Sequence, residues 1–157
     1  MGLDISNGTW HGSYSAFMRW RIKIAEVAGL PPLELMEGFY LDNPDAFIVE
    51  NPIGRIELFC QENQTILSIT RELKKSLPIK WKILKTDVLY KLLLHSDCDG
   101  KISWQVAGKL AKRLKELLSL LPDEDVGGHI GNWKDKTETF IKGCELAHSK
   151  KEDLEFY

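Results

Sequence analysis

Several features are scarce in this chain, and each scarcity narrows what the protein can be. No apolar run approaches the ~20 residues that cross a bilayer as a helix, so no membrane span and no membrane partner is expected. Cysteine is nearly missing: Cys60, Cys98 and Cys144 are widely spaced and form no CxxC pair. That usage fits a reducing cytoplasm better than a disulfide framework or a zinc site. Neither sign of charge dominates, since 21 basic and 23 acidic side chains leave a net charge of −2. Nucleic-acid-binding domains normally carry a clear basic surplus, so neither DNA nor RNA is expected as a partner. The opening MGLDISNGTW lacks the charged and apolar regions of a secretory signal. It matches an N-myristoylation pattern, but one acyl chain alone anchors only marginally.

What is present is an ordinary globular composition, with 43% hydrophobic and 28% charged residues over 157 positions. That length buries a core without disulfide or metal staples, and it reads as one domain, 1–157. A hairpin-like variable insertion is expected around 42–70, where RIELFC and TILSIT look like strands joined at Glu62-Asn63. Charge is segregated nearby. Seven acids face only Arg55 over residues 34–63, and seven bases face Glu72 and Asp87 over 71–91. Two solvated faces account for this; pairing of the two segments, or an anion held by the basic one, is the sharper reading.

Outside that region the pattern alternates strand and helix signals. GLDIS reads as a strand closed by the turn pair Asn7-Gly8. A helix opens at Ser13 or Ser15, with Phe17, Trp20, Ile24 and Val27 on one face, and stops at Gly29. Three more helices follow. One runs from a Thr86 cap to Leu94. Another opens at Ser103 and ends before Pro122, with Lys109, Lys112, Arg113 and Lys115 on its polar faces. The last opens near Asn132, with Cys144 and His148 on its apolar stripe and so expected as buried packing. The closing LEFY is a strand that can pair with LDIS. The expected fold is therefore α+β: helices packed around a small, mostly antiparallel sheet that pairs the N- and C-terminal strands.

Three stretches carry candidate chemistry. In HSDCDG, His95, Asp97, Asp99 and Gly100 match the middle of a calcium loop. The ends fail, because His95 replaces a carboxylate and Val106 stands where a bidentate glutamate belongs, so no metal is expected. Asx-turns at Asp97 and Asp99, a left-handed Gly100 and a Ser103 cap explain part of the box. His95 and Asp97 remain, as an acid–base pair or as partners for hydroxyl groups. In VGGHIGNW, Gly127, Gly128 and Gly131 allow close backbone approach before a helix N-terminus, so a phosphate would sit there beside His129; a flexible linker is the plain alternative. In NGTWHGSYSAFMRWR, Trp10, His11 and Tyr14 offer ring faces, and Arg19 and Arg21 offer guanidinium forks. Trp20 is expected in the core and Trp10 is not.

Taken together, MGLDIS, GSYSAFMRWR, AGLPPLELMEGFY, LPIKW, HSDCDG and AHSKKEDLEF resemble a family of small uncharacterised phage and prophage proteins. The resemblance covers most of the chain except the middle hairpin, and HSDCDG is its most specific element. It carries over no catalytic residues. It implies the cytoplasm of a bacterial host and an accessory, anti-defence type of role.

The leading expectation is a protein that binds and sequesters a small nucleotide-like ligand, with no cofactor. Trp10 or Tyr14 would stack the base. His95, Asp97 and Asp99 would hold hydroxyls, and Arg19 with Gly127, Gly128 and His129 would hold phosphate, His11 joining the same site. The alternatives are a nucleotide-directed hydrolase or transferase using His95 and Asp97, and a protein–protein inhibitor of a host defence factor through the acidic segment. Self-association into a homo-oligomer is left open.

Overall fold

Asn7 and Gly8 both take positive φ (60° and 64°), the backbone that a two-residue hairpin turn requires. The chain therefore folds straight back: β1 (Gly2–Ile5) pairs antiparallel with β2 (Trp10–Ser13), in the register Asp4↔His11 and Ile5↔Trp10. The sequence pattern assigns no strand to Trp10–Ser13. The Asn-Gly pair that closes the first strand is also the centre of a hairpin. This computed structural model describes residues 2–39 and 78–157. The hairpin expected around 42–70, Cys60 and most of the acidic segment lie outside the described residues.

Helix α1 (Tyr14–Val27) follows β2 directly. Ser13 Oγ accepts the Ala16 amide at 3.1 Å, an N-cap of the expected kind. A left-handed Gly29 (φ 69°) stops the helix, with the Leu30 amide donating back to Ala25. After the gap come α2 (Tyr90–Leu93), β3 (Lys101–Ile102), α3 (Trp104–Leu117), α4 (Trp133–Lys150) and β4 (Leu154–Glu155). Thr86 does not cap the first of these. No side chain does: the N-cap position is Leu89, the Asp87 carboxylate accepts the Leu89 amide at 3.0 Å in the turn before the helix, and the regular helix spans only 90–93.

The termini meet as expected. β4 pairs with β3, and the strand continues past β4 onto β1, with Asp4 and Tyr157 exchanging backbone bonds of 2.8 and 2.9 Å. The architecture is α+β, with four helices and two small antiparallel sheets among the described residues.

The chain divides into two compact units, Met1–Ile24 with Asp87–Tyr157, and Ala25–Thr86. In the second, Ile79 exchanges backbone bonds with Leu35 and Glu37, and Trp81 Nε1 donates to the Glu37 carbonyl at 2.7 Å. The first unit is organised around buried rings. Trp10, Phe17, Trp20, Phe140 and Phe156 are each at most 4% exposed and touch in sequence, the closest pair being Trp20 and Phe140 at 4.6 Å. Burying such rings contributes roughly 1.5–3 kcal/mol apiece. Trp20 Nε1 finds its acceptor in Thr137 Oγ1 at 3.0 Å, which in turn donates to the Trp133 carbonyl.

Candidate functional site

The predicted residues go to two places, and a third place was not predicted. The first is the corner where β2 meets the loop before α4. His11 stays exposed, and its Nδ1 lies 2.6 Å from Asp4 Oδ1 across the hairpin. His129 comes to the same corner, with ring centroids 6.4 Å apart. Its Nδ1 accepts the Ser13 amide at 2.6 Å. Lys136, one turn into α4, donates to the His11 carbonyl at 3.0 Å and lies 4.0 Å over the Trp10 ring. Burial pushes the Lys136 ammonium below its ordinary range. Tyr14 is half-buried at the adjoining start of α1, and Arg19 points to solvent further along it.

Two expectations fail at this corner. Trp10 is 1% exposed and packs its faces on Phe17, Trp20 and Lys136, so it has no surface on which a base can stack. The N-terminus of α4 is already occupied: Asn132 Oδ1 accepts the Lys134 and Asp135 amides, and Glu124 takes the Trp133 amide. The loop before it is closed on itself, Val126 to Gly131 and Gly131 to Gly127, with Asp125 accepting the Gly127 amide. The left-handed Gly127, Gly128 and Gly131 (φ 69°, 60° and 64°) build that closed turn, which explains them without a phosphate.

The second place is the HSDCDG loop between α2 and β3. His95 does not join the other histidines; its ring stacks on Phe156 at 4.0 Å, and Nδ1 lies 2.7 Å from the Ser96 carbonyl. Gly100 is left-handed (φ 96°), and a Cβ there would come within 3.3 Å of the His95 ring. Ser103 caps α3 by accepting the Val106 amide, and Asp153 takes the Trp104 amide. The loop's anchor is Arg21, 1% exposed, which donates to the carbonyls of Leu93 and His95. Burial pushes its guanidinium down to about 10, and the Asp97 carboxylate works in the opposite direction. Asp97 is partly exposed in the loop, and Asp99 is exposed beside Cys98.

The third place is a groove of about 480 Å³ between α3 and α4, which includes Lys109, Lys112, Lys115, Gln105, Glu145 and His148 in its lining. His148 is exposed there, contrary to the buried role expected from its stripe. Gly108 explains why: a Cβ at that position would stand 2.5 Å from His148 Nδ1. A helix-interior glycine costs about 1 kcal/mol relative to alanine, and here it lets the imidazole lie against the backbone of α3. Nδ1 donates to the Trp104 carbonyl at 3.1 Å, and the Trp104 ring packs at 5.4 Å. With Nδ1 spent, Nε2 is the nitrogen left for a ligand. Lys115 is paired with Glu145. The sequence signal was available, in lysines at intervals of three with a glycine in mid-helix, but helical periodicity alone assigns such lysines to solvent.

Among the described residues no group of three or more His, Cys, Asp or Glu is placed to hold a metal ion, and no helix is long and apolar enough to cross a membrane. No protein-family model, curated protein or solved structure matches the chain, so the functional reading rests on its own residues.

Proposed function

We propose that this protein binds a small nucleotide-like ligand, without turning it over, with the ligand's phosphates in the groove between α3 and α4. The observation that carries the reading is the placement of Lys109, Lys112 and His148 around one concavity of about 480 Å³. That volume lies within the range of small-ligand sites. Lysines on one helix face supply charge for an anion without imposing a fork geometry, and Gln105 supplies an amide for a sugar or base edge. His148 is held by Trp104 and Gly108 before any ligand arrives, so little ordering is needed on binding. The resemblance to phage proteins supplies the setting: an accessory protein of the bacterial cytoplasm that sequesters a nucleotide signal of host defence.

The competing hydrolase reading at His95 and Asp97 has less support, because the His95 ring is stacked on Phe156 and its Nδ1 is held at the Ser96 carbonyl. The acidic segment that a protein inhibitor would use lies mostly outside the described residues.

The test is calorimetry with a nucleoside mono-, di- and triphosphate series, followed by denaturation and analysis of the released ligand. The expected result is affinity that rises with phosphate number, falls with salt, and returns the nucleotide intact. Lys109→Gln with Lys112→Gln should weaken binding on the order of tenfold or more, two charge-assisted contacts being lost. No binding by any member, or recovery of altered nucleotide, would remove the proposal.

A further inference from the structure

β1 is flanked on both sides: β2 pairs along one, and on the other Asp4 exchanges backbone bonds with Tyr157. β2 is therefore the outer strand of this sheet among the described residues, and an outer strand leaves backbone groups with no strand to pair with. Two side chains that lie 116 and 125 positions further along the chain cover them. His129 Nδ1 accepts the Ser13 amide at 2.6 Å, and Lys136 donates to the His11 carbonyl at 3.0 Å. The two covers differ in kind. Lys136 keeps its protons as pH falls. An imidazole accepts through Nδ1 only while that nitrogen is unprotonated, so the bond to Ser13 fixes His129 as the neutral ring with its proton on Nε2. The seat is shaped for that ring: Gly12 has no Cβ, and one there would stand 2.9 Å from His129 Cβ and 3.2 Å from Nδ1. Ile130, 5% exposed, anchors the same loop, so the His129 ring can turn out while the loop stays in place.

The neighbours make acid act in one direction. From β2, the His11 ring lies 6.4 Å from that of His129, and its Nδ1 faces Asp4 Oδ1 on β1 at 2.6 Å. Protonation suits His11, because the carboxylate stays beside it. α4 brings Lys136. Within the loop, Asp125 is turned to the Gly127 amide, and the first turn of α1 adds the Tyr14 phenol and no full charge. In acid, His11 and His129 both become cations beside Lys136, and the Asp4 carboxylate is already paired with His11.

We infer that His129 is a pH-sensitive clasp on the outer edge of β2. It is closed while the imidazole is neutral. It opens when a proton on Nδ1 takes the place of the Ser13 amide, since two N–H groups cannot bond to each other. The ring then turns to solvent and the Ser13 amide is left to water. The contribution of this bond is therefore present at neutral pH and above, and is lost as pH falls through the range where imidazoles titrate, about pH 6.5 for a free ring.

The full chain, isotope-labelled, would be followed by NMR and amide exchange from about pH 7.5 to about pH 5. At the upper end His129 should show the tautomer protonated on Nε2, and His11 the one protonated on Nδ1. As pH falls, the Ser13 amide should lose about tenfold of its protection after correction for intrinsic exchange, the scale of one hydrogen bond. The Ser6 amide, bonded to the Glu155 carbonyl on the inner side, should keep its protection. His129→Gln removes the titration but retains a side-chain acceptor, and should abolish the pH dependence, whereas His11→Gln should preserve it. A Ser13 amide equally protected at both ends of the range, a His129 ring protonated on Nδ1 at neutral pH, an unchanged pH dependence in His129→Gln, or loss of Ser6 protection together with that of Ser13 would overturn the inference.

Discussion

Arg21 donates to the main-chain oxygen of His95 at 2.8 Å from the buried side of α1, and its guanidinium lies 4.5 Å over the Phe17 ring. The most distinctive sequence box in the protein is thus held from behind by a residue 74 positions earlier. Arg21 also takes the Leu93 oxygen, and so satisfies the end of α2, which has no glycine cap of its own. Arg21→Met preserves volume but leaves two carbonyls without this donor. A hydrogen bond from a charged donor is worth about 1.5–3 kcal/mol, so a loss of about 3 kcal/mol is expected in urea unfolding. A loss under 1 kcal/mol would mean that water replaces the guanidinium.

Gly108 offers a clean separation of binding from stability. Gly108→Ala gains about 1 kcal/mol of helix propensity and places a methyl group where His148 now lies. The obstructing atoms are the end of an exposed side chain, which can swing away. Stability should therefore stay within about 1 kcal/mol of wild type. Nucleotide affinity should fall at the same time, as read by calorimetry, with the His148 ring resonances shifting in NMR spectra. Unchanged affinity would take His148 out of the site.

Gly143 makes the opposite case. A Cβ there would stand 2.6 Å from Thr9 Cα and against its hydroxyl, and backbone cannot swing aside. Thr9 is wholly buried, bonded to the Ser6 carbonyl at the hairpin turn. Gly143→Ala should then cost about 1–3 kcal/mol or more despite its helix propensity, because overpacking displaces the hairpin. A thermal midpoint at or above that of wild type would contradict the packing described here.

The two described thiols should differ sharply. Cys98 is exposed, and Cys144 is buried, its thiol pushed up from 9.0 to about 12 by desolvation and by Glu145. A thiol reagent should label Cys98 in the native protein and Cys144 only on unfolding. The linkage sign follows from the raised folded value. The contribution is complete below the unfolded value of 9.0 and is lost as pH climbs toward about 12. Stability should fall on the order of 1 kcal/mol per pH unit across that window, and Cys144→Ala should remove that part of the slope.

How much of this was legible beforehand depends on how local each signal is. Ser103 and Asn132 stand immediately before α3 and α4 as caps, and both helices begin where those residues predict. The apolar period of α3 places Ala107, Leu110, Ala111, Leu114 and Leu117 in the core as expected. The pairing of LEFY with LDIS was also readable, because both are short alternating strands that need a partner. β2 was missed because Trp10–Ser13 holds an exposed histidine and a glycine, which look like loop residues when no neighbouring strand is in view.

The sequence by itself determined the α+β class, the starts of α3 and α4, and the meeting of the termini, since caps and hydrophobic periods act within one turn or one strand. Tertiary structure alone decided which polar groups remained available. It buried Trp10 under Lys136, filled the α4 N-terminus with Asn132 and Glu124, and stacked His95 on Phe156. It also brought His129 beside His11 and turned His148 over Gly108 into a lysine-lined groove. A side chain's type and spacing give its possible chemistry. Whether its hydrogen-bonding atoms are spent or left for a ligand depends on neighbours that arrive from distant parts of the chain, and no local pattern encodes them.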